Sequence, residues 1–377
     1  MNKKNIYYVT FNETFNGIYK SQVIDVVKLY ISKHYNSNLI AFIPLKNFLK
    51  ERRKIKIHLP NSIIIPIFFK LRYWYFNKFW FLFFSFNSKD YILCRSIFAF
   101  NLVPNFLLDK CKVIYDGRGA IFYEQKEYGV YNGTSLENEI FQLEQNSVIK
   151  SHHRIAVSNK LVKFWENTFF YVSGKETVIP SSASTLFERN KNQSKINEIK
   201  KKFQIKPNNK VIIYSGSSAG WQSFKMISSF ANKLIVNQPN TKFIFLTSEN
   251  KYIDTLVNDF PNRVFRLLVP YEDVVDYLDV SDFGILLRTN SITNEVSSPV
   301  KCAEYLIRGL KVIISENIGD YSHIIYKNDL GFSDKQIIND CSLINDEFDK
   351  LRIQNFAYKK FSKTSILIQD KYLGLIK

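Results

Sequence analysis

The residues from Ser297 to Leu306, SSPVKCAEYL, combine the side chains that an anion site needs. Ser298 is a good N-cap residue, and Pro299 suits the first position of a helix, where its missing N–H costs nothing. The free amides of the first turn, with Lys301 beside them, favour a diphosphate. Glu304 lies one turn further along the same face, where its carboxylate can accept hydrogen bonds from ribose hydroxyls. A capped surface helix with a Lys/Glu pair explains the same residues equally well.

Two further candidates follow apolar runs that are predicted to be strands. Gly17 comes after the run 5–11, and a residue without a Cβ lets a loop backbone approach a phosphate or a sugar. Asn16 and Gly17 would also form a plain turn. Arg288 ends the run 283–287 and is expected to bind phosphate, with a solvated loop cation as the alternative.

Charged residues also follow the apolar run 113–115. A carboxylate at a strand end, such as Asp116 or Glu124, can act as a general base on an acceptor hydroxyl. Asp116 would only orient the acceptor if the chemistry needs positioning alone. Arg118 is placed on the acceptor side, and a purely structural ion pair with Asp116 is the alternative.

No acidic pair with the spacing of a metal clamp stands at a predicted strand end. Asp273 with Asp276, and Asp279 with Asp282, fall on or beside a predicted helix and are interpreted as a solvated face. We therefore expect no metal and no cofactor, with helix amides and cations stabilising an anionic leaving group.

The elements that position these residues alternate between short β-rich runs and helical patterns, which is typical of parallel α/β architecture. One such helix is predicted to start after Ser158, whose hydroxyl is a suitable N-cap. A lysine-rich polar segment, residues 188–209, interrupts the alternation once. The pattern predicts two Rossmann-like domains, 1–180 and 181–345, that face a central cleft, followed by a helical segment, 346–377.

The 377 residues are enough for two domains with sizeable cores, and 46% apolar residues exclude a disordered chain. The net charge is +18, of which nine basic residues and one acid between Lys46 and Lys78 supply +8. An anionic partner is therefore expected. The four cysteines form no CxxC pair and no apolar signal segment opens the sequence, so we expect a cytoplasmic protein.

An aromatic stretch interleaved with cations, residues 68–86, adjoins the basic residues. Its longest apolar run has eight residues, whereas spanning a bilayer takes about 20. Trp and Tyr mixed with Lys and Arg suit the surface of an anionic membrane, and a helix buried in the first domain is the equal alternative. The residues expected to contact the inner face of the plasma membrane are Arg52, Arg53, Lys54, Lys70, Arg72 and Trp74.

The run from Ser298 to Ile313, SPVKCAEYLIRGLKVI, resembles the donor-site segment of bacterial GT-B glycosyltransferases, especially glycosyltransferase family 4 of capsule, O-antigen and exopolysaccharide synthesis. Further stretches are similar to that family, in the same order, along residues 5–330. They are Gly17-Ile18 with Ser21-Gln22-Val23, Tyr115-Asp116-x-Arg118-Gly119 with Glu124, Ile155-x-Val157-Ser158, and Tyr214-x-Gly216-Ser217 with Trp221-Gln222.

The resemblance implies a GT-B fold whose last helix crosses back to the first domain, with a nucleotide-diphosphate sugar bound by the second domain and an acceptor by the first. It assigns the donor ribose to Glu304 and the donor loop to Gly216 and Ser217. Family members use an Arg and a Lys after that strand, whereas here the first cation is Lys225. A second glutamate usually stands eight positions before Glu304; Val296 is there instead, which leaves open whether the anomeric configuration is retained.

We expect a cytoplasmic, membrane-associated glycosyltransferase of the hexosyltransferase type, with a lipid-linked or polysaccharide acceptor in surface-glycan biosynthesis such as that of capsule or lipopolysaccharide. A nucleotide-sugar epimerase of the same fold is the alternative among enzymes. A basic, non-enzymatic nucleic-acid-binding protein is the alternative from another class. The basic segment matches no nucleic-acid module, so we expect no nucleic-acid partner.

Overall fold

The computed structural model describes residues 4–68 and 70–377; Met1 to Lys3 and Phe69, on which parts of the sequence analysis fall, lie outside the described residues. The chain divides into two compact units. The first unit comprises residues 4–68 and 70–180 with Val296–Ser298 and Ile366–Lys377, and the second comprises Ser181–Glu295 with Pro299–Ser365. The expected boundary after residue 345 differs from this division, because residues 346–365 pack with the second unit.

A seven-stranded sheet forms the centre of the first unit. Its strands are β1 Asn5–Phe11, β2 Asn36–Pro44, β3 Ile63–Ile67, β4 Tyr91–Arg95, β5 Lys112–Gly117, β6 His153–Ala156 and β7 Glu176–Val178. Their order is β3-β2-β1-β4-β5-β6-β7, and every neighbouring pair is parallel. Strands buried on both faces need continuous apolar runs rich in β-branched and aromatic residues, and most of these segments have that composition.

Helices cover both faces of this sheet, as parallel sheets require. They are α1 Gly17–Tyr19, α2 Asp25–Ser32, α3 Phe48–His58, α4 Ile97–Leu102, α5 Asn105–Lys110, α6 Ile121–Tyr128, α7 Ile140–Lys150 and α8 Asn159–Phe169. A π-helical turn, Lys20–Ile24, joins α1 to α2, and 3₁₀ turns occupy Leu45–Asn47, Leu71–Phe83 and Ser135–Asn138. The predicted cap of α8 is confirmed, because Ser158 Oγ accepts from the Leu161 amide at 3.0 Å.

The second unit has a six-stranded parallel sheet. Its strands are β8 Lys210–Ser215, β9 Thr241–Leu246, β10 Val264–Leu267, β11 Phe283–Leu286, β12 Lys311–Ile314 and β13 Gly331–Ser333, in the order β10-β9-β8-β11-β12-β13. Its helices are α9 Gln193–Lys202, α10 Phe224–Asn237, α11 Lys251–Asp259, α12 Val274–Asp279, α13 Ile292–Glu295, α14 Val300–Ile307, α15 Tyr321–Lys327, α16 Asp334–Asn339 and α17 Lys350–Phe361. Its 3₁₀ turns are Thr185–Glu188, Gly220–Gln222, Tyr271–Asp273 and Cys341–Asn345. Both units therefore have the doubly wound, Rossmann-like arrangement.

The end of the chain forms two helices instead of one. α17 buries Ile353 and Phe361 in the core of the second unit. The last helix, α18 Ile366–Gly374, buries Ile368 and Tyr372 in the core of the first unit, and the Tyr30 hydroxyl donates to the Tyr372 carbonyl at 2.9 Å. The last helix thus returns to the first unit, as the resemblance implied.

Candidate functional site

Each sheet reverses its strand order at one place, between β1 and β4 in the first unit and between β8 and β11 in the second. Ligands of open α/β sheets usually bind beyond the carboxyl ends of the strands at such a reversal. We call these places the first and the second switch point. Of the predicted site residues, Gly216, Ser217, Arg288, Lys301 and Glu304 lie at the second, and Asp116 and Arg118 lie near the first.

Lys301 is a buried cation of the second switch point. Its Nζ donates to Gln222 Oε1 at 3.0 Å and lies 3.9 Å from the centre of the Tyr214 ring. Gly216, directly after β8, has a φ of 146°, which side-chain-bearing residues rarely adopt. A Cβ at Gly216 would stand 2.7 Å from Lys301 Nζ. The glycine predicted for the donor loop therefore makes room for the lysine.

Arg288 is the second buried cation there, two residues beyond the end of β11. Its amide donates to Ser315 Oγ at 2.9 Å and its Nη1 to Asn294 Oδ1 at 3.2 Å, so the side chain is held in place. Burial lowers the pKa of Lys301 well below its usual range, and Arg288 lowers it further, while Glu304 opposes both effects. Lys301 and Arg288 repel each other because both are buried cations of one site, and a bound anion would relieve that repulsion.

Glu304 is the buried carboxylate that accompanies these cations. Tyr271 donates its hydroxyl hydrogen to Glu304 Oε1 at 2.8 Å. Burial raises the pKa of Glu304 to about 7, although the Tyr271 hydrogen bond and Lys301 act in the opposite direction. Its neighbour Tyr305 fixes α14 to the sheet, because its hydroxyl accepts from the Ser215 amide at 2.9 Å and its ring occupies the space where Gly284 has no Cβ.

The start of α14 differs from the sequence prediction. Pro299, with a ψ of 120°, is the N-cap residue, and its own side chain makes no capping hydrogen bond. Ser298 is therefore not the N-cap residue, and contacts group it with the first unit. The Cys302 amide of the first turn donates to the Pro299 carbonyl at 3.1 Å.

The remaining donor candidates are less closely tied to this group. The Ser217 carbonyl accepts from the Tyr214 hydroxyl at 2.8 Å, which fixes the loop after β8. Lys225 lies exposed in the first turn of α10, and the described residues give it no hydrogen bond or ion pair. Gly17 opens α1 with an ordinary helical φ, and Asn16 Oδ1 caps that turn by accepting from the Tyr19 amide at 2.9 Å. A role for Gly17 in donor binding stays a prediction.

Asp116 lies completely buried at the end of β5, near the first switch point. Arg118 holds both of its oxygens, with Nε 2.8 Å from Oδ1 and Nη2 2.8 Å from Oδ2. The Tyr8 hydroxyl also donates to Oδ2. This geometry is the structural ion pair that the sequence left as an alternative, and it suits Asp116 to positioning; a catalytic role for it stays a prediction.

Glu124 lies on α6, where its Oε1 would stand 2.8 Å from a Cβ added at Gly119. Sequence reasoning missed the carboxylate that anchors this helix. Glu144 on α7 accepts from the amides of Ile121 and Phe122 at 3.1 and 2.7 Å. Burial raises the pKa of Glu144 to about 8, against the effect of these two hydrogen bonds.

The interpretation of the acidic pairs as a solvated face is wrong for Asp276 and Asp279. Asp276 is buried and lies 2.7 Å from Arg189 Nη2. Asp279, 1% exposed, accepts from Arg308 Nε and Nη2 at 2.8 and 2.6 Å. Both are therefore structural ion pairs. In the part of the chain that the structure describes, no group of three or more His, Cys, Asp and Glu is placed to hold a metal ion, and metal independence stays a prediction.

The basic and aromatic surface of the first unit is concentrated between residues 45 and 83, which contain nine of the 22 large apolar side chains exposed in the described residues. α3 exposes Leu49 and Ile57 along with Arg52 and Arg53. The aromatic segment, which we define as Leu71–Phe83, exposes Tyr75, Phe76, Phe79, Leu82 and Phe83.

The other side of the aromatic segment faces the protein interior, as the alternative of a buried helix required. The structure corrects the choice of Trp74 as a membrane contact: it is 4% exposed, and its ring lies 5.6 Å from that of Phe98. Lys70 and Arg72 are exposed, and Lys54 is half-buried beside Glu51. No helix among residues 4–68 and 70–377 is long and apolar enough to cross a membrane.

Comparison with solved structures identifies the fold. A glycosyltransferase from Rickettsia africae superposes with a TM-score of 0.72 at 15% identity, covering 100% of this chain and 98% of that one. Anabaena HepE in complex with UDP and glucose gives 0.70 at 13% identity and 98% coverage of both chains, and WaaG, a glycosyltransferase involved in lipopolysaccharide biosynthesis, gives 0.63 at 10% with the same coverage. The chain therefore has the GT-B type of glycosyltransferase fold, as predicted. No protein-family model and no curated protein matches the sequence.

Proposed function

We propose that this chain is a glycosyltransferase that takes a sugar from a nucleotide-diphosphate donor bound at its second switch point. The observation that carries the proposal is the placement of Lys301, Arg288 and Glu304 together at that point of a GT-B fold. Support also comes from HepE, which was crystallised with UDP and with UDP-glucose. At these identities the likeness itself concerns the fold alone.

In this proposal the donor diphosphate lies against Lys301, Arg288 and the first-turn amides of α14. Charge-assisted hydrogen bonds to phosphate are among the strongest available to a protein, and burial strengthens them. A bound diphosphate would return the pKa of Lys301 towards its usual range, so the lysine is charged in the complex. Glu304 then accepts hydrogen bonds from the ribose hydroxyls.

In the transfer step, an acceptor oxygen forms a bond to the anomeric carbon while the bond from that carbon to the diphosphate breaks. The electron pair stays on the diphosphate, where the two cations and the helix amides stabilise it without a metal ion. The acceptor proton must leave as well, and Glu124 is the carboxylate that we propose for it. Asp116, held by Arg118 and Tyr8, positions the acceptor side.

The direct test is a thermal-shift and calorimetric screen against UDP-, GDP- and dTDP-sugars, followed by product analysis with and without saccharide acceptors. We expect one nucleotide class to raise the melting temperature, and donor consumption to depend on the acceptor. Conversion of the donor sugar without an acceptor would favour the epimerase instead. Absence of binding to every nucleotide sugar would contradict the proposal.

We also propose that the acceptor is lipid-linked or glycan in nature, as in surface-glycan synthesis, and that the chain works at the anionic inner face of the plasma membrane. The exposed Leu82 and Phe83, 69% and 73% accessible, together with Arg52 and Arg53 support this. Interfacial helices combine such apolar and cationic side chains, and each cation near an anionic surface contributes about 1 kcal/mol.

Flotation with vesicles of phosphatidylcholine, with and without phosphatidylglycerol, tests the membrane proposal. Replacing Arg52, Arg53 and Lys54 by Glu should abolish binding to the anionic vesicles. The matched control replaces Lys200, Lys201 and Lys202 of α9, three consecutive exposed lysines in the second unit, with the same change of charge. Equal binding by wild type and by both variants would contradict a specific surface.

A further inference from the structure

A second charged pair lies at the first switch point, on residues that the sequence analysis did not select. Arg95 is the last residue of β4 and is in register with Thr10 of β1, so it stands at the strand reversal. Its Nε donates to Glu13 Oε2 at 2.9 Å, and the two side chains are 8% and 27% exposed. Glu13 follows β1 by two residues, so the pair joins the loops on both sides of the reversal.

Each member of this pair keeps one buried polar atom without a hydrogen-bond partner among the described residues: Nη1 of Arg95 and Oε1 of Glu13. The Arg95 Nη1 lies 3.9 Å from Asp116 Oδ2, which is an ion-pair distance but too long for a hydrogen bond. A buried polar group left unsatisfied costs about 1–3 kcal/mol, so such groups in a native structure need an explanation. A ligand that both donates and accepts hydrogen bonds would satisfy both atoms.

The backbone at the same two strand ends is also strained. Asn12, directly after β1, has a φ of 58°, and Ser96, directly after β4, has a φ of 84° with a ψ of 159°. The region in which Ser96 lies is populated almost only by glycine, and holding another residue there costs about 1–3 kcal/mol. Strain of this kind persists where the surroundings over-determine the backbone, and it concentrates at ligand sites.

The charges around the pair decide which ligand fits. The cluster contains two guanidinium groups, Arg95 and Arg118, and two carboxylates, Glu13 and Asp116, so their formal charges cancel. A phosphate would meet an acidic group for every basic one. A hydroxyl is uncharged and is both a donor and an acceptor, which matches an unpaired N–H beside an unpaired carboxylate oxygen. Both atoms belong to the same ion pair, whose Nε and Oε2 are 2.9 Å apart.

We propose that the Glu13–Arg95 pair is a saccharide subsite that binds neighbouring hydroxyl groups of the acceptor sugar. That the bound sugar is the acceptor rests on the proposed function. The subsite itself consists of residues of the first unit alone. It selects a neutral polyol at this position, whereas a phosphorylated or anionic sugar ring is disfavoured.

Saturation-transfer NMR on the full chain tests the subsite, with the methyl glycosides of glucose, galactose, mannose, rhamnose and N-acetylglucosamine, and with inorganic phosphate in competition. Saturation should transfer from the wild-type protein to at least one bound glycoside, and phosphate should not displace that glycoside. Glu13→Ala should lower the affinity for that glycoside by about tenfold or more, which corresponds to losing one hydrogen bond to a charged group. Arg95→Lys retains the charge beside Asp116, so it keeps the fold while it loses the forked donor, and it should show the same loss.

Glu176→Gln, which removes a partly buried carboxylate at the far edge of the same sheet, is the matched control and should bind like wild type. The subsite is overturned if no glycoside is saturated, if Glu13→Ala and Arg95→Lys bind as tightly as wild type, or if phosphate displaces the sugar. The nucleotide-sugar screen on the same wild-type sample separates the two ideas: donor binding without glycoside binding removes the subsite and leaves the proposed function standing.

Discussion

The two switch points occupy equivalent places in two similar sheets, yet they carry different charge. At the first, Arg95 and Arg118 face Glu13 and Asp116, and the four formal charges cancel. At the second, two buried cations accompany one carboxylate whose pKa is raised to about 7 by burial. By formal charge the second point therefore has one cation in excess and the first has none, and burial together with Arg288 keeps the pKa of Lys301 low until an anion binds.

One fold can therefore form two kinds of ligand site, depending on whether its buried charges are paired. A neutralised cluster still offers hydrogen bonds, which suits hydroxyl groups. An under-compensated cluster stores repulsion that a phosphate relieves.

Asp116→Asn should destabilise the protein more than any other change at the first switch point, because it removes one of two carboxylates that balance two buried cations. It leaves Arg95 and Arg118 buried with a single carboxylate, and breaking a buried pair on one side costs about 3–5 kcal/mol of unfolding free energy. Urea denaturation followed by circular dichroism measures the loss. Asp109→Asn, an exposed aspartate in the same unit, should change stability by less than about 0.5 kcal/mol. A loss below 1 kcal/mol at Asp116 would show that its charges are not balanced in the way we describe.

Lys301→Met should have the opposite signature at the second switch point. The substitution removes a buried, repelled charge with little change in volume, so stability should hold or rise. Donor affinity should fall by about 10- to 100-fold, the range for a hydrogen bond to a charged group. Calorimetric titration with the nucleotide found in the screen measures it, and the exposed Lys335→Met serves as control. Unchanged donor affinity would remove Lys301 from the donor site.

Gly216→Ala should weaken donor binding by about tenfold, because the added methyl group meets Lys301 Nζ at 2.7 Å and displaces it. The strained φ adds a stability cost of about 1–3 kcal/mol. Gly174→Ala separates the two effects, since Gly174 also has a positive φ, 123°, but has open space around it. Donor affinity of Gly216→Ala equal to that of wild type and Gly174→Ala would show that the added methyl group does not disturb Lys301.

The pH dependence of donor affinity should show the smallest change, a few-fold. Glu304 ionises as the pH rises through about 7, and the carboxylate accepts hydroxyl hydrogens better than the acid, so affinity rises there. Lys301, with its lowered pKa, loses its charge on the alkaline side, so affinity falls again. Dissociation constants between pH 5.5 and 9 should give this bell shape. Glu304→Gln should lose the rising limb only, and a rise that persists in that variant would assign it to another group.

Much of the fold could be predicted from the chain itself. The strand Asn5–Phe11 has the predicted bounds, because it is an apolar run between polar residues. The edge strand Ile63–Ile67 was missed, since it contains Pro66, which a central strand does not tolerate. The prediction of one terminal helical segment was wrong in detail. The segment forms two helices, because its first part packs in the core of the second unit and its last part in the core of the first.

At the sites, the local spacing of residues sufficed for Asp116 with Arg118 and for Lys301 with Glu304, which lie within one turn or one loop. Partners from distant parts of the chain were out of its reach. Arg95 meets Glu13 only because β4 pairs with β1, and Lys301 meets Gln222 only because α14 returns over β8. Sequence alone determined which side chains are available and where strands end. Tertiary structure decided which charges are paired, and since burial and pairing set the cost of each charge, it decided which ligand each switch point can accept.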